Sequence, residues 1–283
     1  MKNNSYALVT GSSSGIGKAM AHEFAKRKFN VLLVALPGPE IHGIADDIRQ
    51  KFSIKVDVLE IDLTHPSSAR KIFNWCTDHQ YRVQVLVNNA GFGNLCALAD
   101  TEEVLITRML ALNNHAMVTL TQLFISHLKT YQQSYILNVG SLASFIPIPN
   151  KAVYAASKSF VYTFSAALRI ELRHLHIHVS CLCPGGTITS IDTNARAKEI
   201  HNPLRNLTQT SEQVASHAVI KLFEKKEKII PGWHNKGLYC LSRVVPLHLK
   251  TWILLRIFAI KKHNQLVTSA RPAQSTAFAL IFR

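Results

Sequence analysis

Tyr6-Ala7-Leu8-Val9-Thr10-Gly11-Ser12-Ser13-Ser14-Gly15-Ile16-Gly17 carries a short apolar run straight into a cluster of glycines and serines. The run predicts a strand, and the residues after it predict a helix to about Lys28. Glycines at 11, 15 and 17 permit a tight turn, close approach of backbone to a pyrophosphate, and close packing of helix on strand. The helix N-terminus adds free N–H groups and positive dipole for phosphates. The spacing G-x-x-x-G-x-G differs from the commoner G-x-G-x-x-G, so the rest of the chain has to decide its meaning.

Working outward, the same alternation repeats. Asn30–Leu36 is a continuous apolar run broken by Pro37-Gly38-Pro39, and a helix follows to about Phe52. Strands are expected at Val56–Ile61, Val83–Val87, Tyr135–Val139, Ile177–Leu182 and Ile229–Gly232. Helices are expected at about Pro66–His79, Glu102–Lys129 and Lys151–His174. Near-continuous apolar strands alternating with helices describe an α/β fold, a doubly wound parallel sheet with helices on both faces. Ligands then bind beyond the carboxyl ends of the strands, where every motif of this chain falls.

Within the Lys151–His174 segment, Tyr154-Ala155-Ala156-Ser157-Lys158 places a phenol and an ammonium four residues apart, on one helix face. A free phenol has a pKa of about 10. A fixed cation beside it favours phenolate and moves the group toward proton transfer near neutrality. Of the seven tyrosines only Tyr154 has a Lys at this spacing. A rival reading exists for the first motif: Gly11-Ser12-Ser13-Ser14-Gly15 also satisfies the G-x-S-x-G nucleophile elbow of α/β-hydrolases, with Ser13 as nucleophile. In those enzymes several strands precede the elbow; here one does.

Taken together, Thr10-Gly11-Ser12-Ser13-Ser14-Gly15-Ile16-Gly17, Asn88-Asn89-Ala90-Gly91, Ser141, Tyr154-x-x-x-Lys158 and Pro184-Gly185 resemble the short-chain dehydrogenase/reductase family in order and spacing, over about residues 5–232. The resemblance implies one Rossmann-type domain, an NAD(P)(H) cofactor, and hydride transfer between nicotinamide and an apolar ketone, aldehyde or secondary alcohol. It implies Tyr154 as proton donor or acceptor, with Lys158 lowering its pKa and binding the nicotinamide ribose. Ser141 would hold the substrate oxygen, and Asn113 would anchor a water-mediated proton relay to the lysine. Gly11, Ser13, Ser14, Gly15, Ile16 and Gly17 would line the pyrophosphate and ribose, and Asp62 with Leu63 would meet the adenine. Asn89, Ala90 and Gly91 would form the adenosine side of the cleft, while Pro184, Gly185, Thr187 and Thr189 would orient the nicotinamide amide. Family members commonly pair through the helices holding Asn113 and Tyr154, so a homodimer or homotetramer is implied. Gly140 stands where another small polar residue is common, a mild departure.

A carboxylate at the end of the second strand would bind the ribose 2′-OH and mark NAD(H). Ala35 and Leu36 stand there, so that signature is missing, as is the adjacent Arg expected for NADP(H). With no repulsion toward a 2′-phosphate and a net charge of +15, NADP(H) is the expected cofactor and NAD(H) the alternative. The contrasting class is a nucleotide-binding protein of this type without turnover. The presence of Asn113, Ser141, Tyr154 and Lys158 speaks against it.

The remaining features concern place and partners. Five cysteines without a C-x-x-C pair, and a first strand expected at about residue 6, predict free thiols and a cytoplasmic protein. His174, His176 and His178 alternate as metal ligands on a strand can, but they fall at a turn and strand edge away from the cleft, and no metal is expected. Residues 221–262 hold ten Lys and Arg against Glu224 and Glu227. Their apolar company points to peripheral membrane contact through 238–262 rather than to nucleic acid, with packing over the substrate cleft or against a partner subunit as the competing reading. The segment 186–211 is the expected substrate lid. Residues 1–232 form the expected catalytic domain, 233–263 an apolar and basic extension resembling one bacterial branch of the family, and 264–283 a tail expected to be disordered.

Overall fold

The computed structural model describes residues 4–188, 208–246, 248–252 and 255–256. Its strands are β1 (Tyr6–Thr10), β2 (Asn30–Ala35), β3 (Val56–Glu60), β4 (Val83–Asn88), β5 (Ser134–Val139), β6 (Ile177–Leu182), β7 (Thr187–Ile188), β8 (Gln209–Thr210) and β9 (Lys228–Ile229). Seven of them make one parallel sheet in the order β3-β2-β1-β4-β5-β6-β9, and β7 pairs with β8 apart from it. The doubly wound α/β fold expected from the apolar runs is the fold observed.

Side chains on a strand alternate between faces, and both faces of this sheet are covered. Ala7, Val9, Val31, Leu33, Val85, Val87 and Leu137 pack on one side with residues of α1 (Gly15–Lys26), α2 (Pro39–Phe52) and α7 (Ser211–Phe223). Tyr6, Leu8, Leu32, Val34, Leu86 and Ile136 pack on the other with residues of α3 (Ser68–Asp78), α5 (Met117–Leu128) and α6 (Ala152–Glu171). Each fully buried aliphatic side chain stabilises by roughly 1.5–3 kcal/mol, so strands buried on both faces are mostly apolar, with their few buried polar residues such as Asn88 and Asn138 hydrogen-bonded to each other. Aromatic pairs lock each layer: Phe24 meets Phe29 and Phe223 edge-on at 6.0 and 6.3 Å, and Phe73 meets Phe124 at 5.3 Å.

Local signals set the element ends. Pro39 opens α2 at a position that needs no N–H, and Ser53 closes it with a left-handed φ of 54°. Thr210 and Gln213 form a reciprocal capping box at the start of α7.

The structure corrects the expected helix over Glu102–Lys129. Instead, α4 (Glu103–Leu110) runs into a wider π-helical turn over Ala111–Ala116 before α5. The cause is Asn113, whose side chain leaves the helix to bind the backbone of Phe92, as described below. Such single wide turns often mark functional sites.

At the C-terminal side, Trp233–Val244 forms a helix, α8, within the extension where the sequence suggested an apolar and basic amphipathic helix. By compactness one unit runs to Ser242 and a second begins at Arg243. Thr189, most of the lid segment 186–211 and the tail 264–283 lie outside the described residues.

Candidate active site

The strand order reverses between β1 and β4, and the predicted residues gather at the carboxyl ends of these strands. Thr10 closes β1 and is buried. Its Oγ1 donates to the Val87 carbonyl at 3.2 Å and accepts the backbone N–H groups of Asn89 at 3.0 Å and Ala90 at 3.1 Å. Asn89 Nδ2 returns the tie, donating to the carbonyls of Thr10 at 2.9 Å and Gly11 at 3.0 Å. The two central strand ends are thereby stapled together.

The glycine loop fits against that staple. Gly11 and Gly15 take φ values of 63° and 53°, the left-handed region that favours glycine. A Cβ on Gly17 would collide with the Gly11 carbonyl and the Asn89 amide. Helix α1 starts at Gly15, and its N-cap Ser14 makes no side-chain capping bond. The first-turn amides therefore face the cleft with no carboxylate near them in that turn, which suits a pyrophosphate. Ser13 and Ile16 are half-buried beside them. Among the described residues no hydrogen bond joins Ser13 to a histidine, so the elbow reading gains no catalytic partner.

At the residues expected to meet the adenine, Asp62 Oδ1 accepts the N–H and hydroxyl of Thr64, both at 2.8 Å, and Leu63 is buried. Asp62 Oδ2 lies 3.7 Å from the Arg108 guanidinium of α4. Nothing in the sequence pattern pointed to Arg108.

The four catalytic candidates are brought to one place. Ser141 lies two residues past the end of β5, and its hydroxyl oxygen accepts the Ala143 N–H at 3.1 Å. Asn113 Oδ1 accepts the Phe92 N–H at 3.0 Å; its Nδ2 donates to the Phe92 carbonyl at 2.9 Å and to Ser157 Oγ at 3.0 Å. Lys158 is buried, and its Nζ donates to the Val139 carbonyl at 2.8 Å. Gly91 admits both, since a Cβ there would lie 2.8 Å from Asn113 Oδ1 and 3.2 Å from Lys158 Nζ. Gly93, absent from the sequence reading, lies against the Tyr154 ring, where a Cβ would stand 2.5 Å from Cδ2.

The electrostatics depart from the sequence expectation. Burial pushes the Tyr154 phenol above its ordinary value, and a hydrogen bond from Ser141 pulls it back down. Burial also lowers Lys158 to about 8, opposed by the neighbouring thiols of Cys181 and Cys183. The Lys158 ammonium is turned to the Val139 carbonyl, 5.9 Å from the centre of the Tyr154 ring, so Ser141 is the group that acts on the phenol here. A second ammonium, that of Lys151, lies 5.6 Å from the same ring centre. Its spacing of three residues before Tyr154 on the helix was a signal the sequence offered.

In the segment expected to meet the nicotinamide, Pro184 is buried and its carbonyl accepts the Leu142 N–H at 2.9 Å, and Gly185 follows it. Asn235 of α8 packs so closely on Gly185 that a Cβ there would overlap its amide. Asn235 Nδ2 in turn donates to the Pro231 carbonyl at 2.7 Å and to Gln209 Oε1 at 3.3 Å. Thr187 pairs with Gln209 in the β7–β8 ladder. His176 sits at a left-handed φ of 56° in the turn before β6, and His178 packs at 5.5 Å from Tyr135 near the amino end of β6, whereas the site residues gather at the carboxyl ends of the strands. Cys181 and Cys183 are core residues with their Sγ atoms 3.7 Å apart.

A cleft with glycine-lined amides, a stapled pair of strand ends, and a Ser-Tyr-Lys group at its centre fits a nicotinamide dinucleotide. The short chain dehydrogenase family profile matches residues 5–200. The chain is 30% identical over 284 residues to the very-long-chain 3-oxoacyl-CoA reductase of Vanderwaltozyma polyspora, covering 92% of this chain and 80% of that protein. It is 32% identical over 185 residues to the 17-beta-hydroxysteroid dehydrogenase type 3 of Mus musculus, covering 63% of this chain and 59% of that one. Among solved structures, the short-chain dehydrogenase from Sphingobium yanoikuyae in complex with NADPH is similar, with a TM-score of 0.73, 25% identity, and coverage of 96% of this chain and 98% of that chain. These curated relatives are eukaryotic and give no support to the bacterial branch that the extension suggested. The chain belongs to the short-chain dehydrogenase family and is an NAD(P)-dependent oxidoreductase of carbonyl and alcohol groups.

Proposed function

We propose that this enzyme uses NADPH to reduce a long-chain 3-oxoacyl thioester to the 3-hydroxyacyl thioester. The observation that carries the substrate class is Lys151, whose ammonium stands 5.6 Å from the Tyr154 ring centre and, among the described residues, pairs with no carboxylate. A 3-oxoacyl thioester carries a second carbonyl oxygen two carbons from the one being reduced. An ammonium beside the catalytic phenol suits such a neighbouring oxygen, whereas a steroid ketone has no second oxygen so near its reacting centre. The Vanderwaltozyma polyspora relative, a very-long-chain 3-oxoacyl-CoA reductase by name, supports the same class.

The bound nicotinamide supplies the hydride for the carbonyl carbon. Gly11, Ser13, Ser14, Gly15, Ile16 and Gly17 bind its diphosphate and ribose, and Asp62, Leu63, Asn89, Ala90 and Gly91 the adenosine portion. Pro184 and Gly185 orient the ring, and the family resemblance assigns Thr187 and Thr189, the latter outside the described residues, to the same task. Tyr154 gives its phenolic proton to the carbonyl oxygen, and Ser141 donates a hydrogen bond to that oxygen as charge develops on it. A phenol held protonated by burial is the acid that reduction requires. Asn113 fixes the Phe92 backbone and Ser157, and so positions the loop and the helix that carry these groups.

The preference for NADPH rests on the end of β2. Ala35 and Leu36 offer no carboxylate there. Glu60, paired in register with Ala35, already accepts the Gly38 N–H at 2.9 Å and lies 3.5 Å from His42. Fluorescence titrations of the protein with the two reduced cofactors should show tighter binding of NADPH; equal or tighter NADH binding would reverse the assignment.

The substrate test compares initial rates of NADPH oxidation on a long-chain 3-oxoacyl-CoA and on a 17-ketosteroid. The thioester is expected to be the better substrate, and Lys151→Ala should raise its KM by about tenfold, the effect of one charge-assisted hydrogen bond of about 1.4 kcal/mol. A faster steroid reaction, untouched by Lys151→Ala, would replace this reading with a steroid ketone reductase.

A further inference from the structure

We infer that the outward face of α8 docks this enzyme on an anionic lipid bilayer. A helix lying on a protein surface ordinarily turns its apolar stripe inward and its polar side to water. Helix α8 does the reverse. Its inward side carries Asn235 and Ser242, both buried, and Tyr239, whose ring packs 4.7 Å from that of Phe145 and whose hydroxyl bonds Lys228. Its outward side carries Trp233 and Val244, 80% and 81% exposed, with Leu241 at 58%. Positions i, i+8 and i+11 of a helix fall on one face, and Gly237 and Cys240 between them add no charge. An exposed Trp with aliphatic neighbours is the composition that enters the headgroup region of a membrane.

Charge selects the occupant. Lys236 and Arg243 flank the apolar face. From Lys228 to Arg283 the chain has nine of its 32 Lys and Arg residues and none of its 17 Asp and Glu residues. A basic segment attached to a Trp- and Leu-bearing face complements anionic headgroups above an apolar layer. A nucleic acid would use the charge and leave the apolar face in water. A second copy seated face to face would bring like charges together with no carboxylate on α8 to meet them. In the second unit, Leu249, Trp252 and Leu255 are also exposed, and the Arg256 guanidinium lies 5.0 Å over the Trp252 ring. No helix among the described residues is long and apolar enough to cross a membrane, so the contact is one of lying on the surface.

The test uses the full-length protein with two kinds of vesicle, phosphatidylcholine alone and phosphatidylcholine with about 30% phosphatidylserine, the anionic lipid of such surfaces. Co-sedimentation is expected with the anionic vesicles and to weaken with added salt. The variants Trp233→Ser/Leu241→Ser/Val244→Ser and Lys236→Glu/Arg243→Glu should each reduce it about tenfold, with NADPH binding retained as the check on folding. In a Trp75→Phe/Trp252→Phe background, brominated lipid should quench Trp233 fluorescence. The proposal is overturned if wild-type protein ignores both vesicles, if both variants sediment as wild type does, or if Trp233 is not quenched. Retention on DNA without vesicle binding would assign the charge to nucleic acid, and a dimer lost in the apolar variant without any lipid effect would assign the face to a second copy.

Discussion

Replacing Tyr154 with Phe is expected to lower kcat by about 10²- to 10⁴-fold, the usual contribution of a positioned general acid, while NADPH affinity stays nearly unchanged. The ring is kept, so its packing against Gly93 and beneath Lys151 is kept with it. What is removed is the oxygen that Ser141 hydrogen-bonds and that delivers the proton to the substrate. The loss therefore falls on kcat, with KM altered little, because the missing interaction forms fully only in the transition state. Rates of NADPH oxidation together with a fluorescence titration separate the two terms. A variant within about tenfold of wild-type kcat would remove Tyr154 from the chemistry and leave Ser141 or Lys158 to be tested as the acid.

Most of what that experiment depends on could be read from the sequence, because the parts concerned are local. A strand buried on both faces is mostly apolar, and β1, β2, β4, β5 and β6 announce themselves that way. The glycine loop was legible because Gly11 and Gly15 occupy backbone conformations that other residues seldom adopt. The Tyr154 and Lys158 pair follows from helix spacing alone.

Long-range contacts were hidden. The wide turn at Asn113 exists because its amide reaches Phe92, 21 positions away, and no local pattern in 111–116 records that. Asn235 touches Gly185, 50 positions away, only once the chain has folded back through β9 into α8. The sense of the Tyr154 shift was misread for the same reason. Spacing placed a cation beside the phenol, but burial, a property of the whole fold, outweighed it, and the Val139 carbonyl drew the ammonium away.

That competition gives the last expected result: Lys158→Met should be inactive and more stable than wild type near pH 7. Burial depresses the lysine from its ordinary 10.5 to about 8. The unfolded chain therefore holds the proton more tightly, and the ionisation favours folding fully only above about pH 10.5, a contribution lost as pH falls through about 8. Below that pH the fold carries a buried ammonium whose one described hydrogen-bond partner is the Val139 carbonyl. Methionine fills a similar volume with no charge to desolvate. Relief of the charge outweighs the carbonyl left without its donor, which costs about 1 kcal/mol, so a net gain on the order of 1–2 kcal/mol is expected at neutral pH. Thermal unfolding of both proteins across the alkaline range checks the sign: the variant's advantage should shrink steadily between about pH 8 and 10.5. An advantage that is absent at neutral pH, or that grows on the alkaline side, would mean that the Val139 bond holds the lysine charged at no cost to the fold. With the predicted outcome, Lys158 is kept in the interior against the interest of stability, as a group needed at the reacting centre would be.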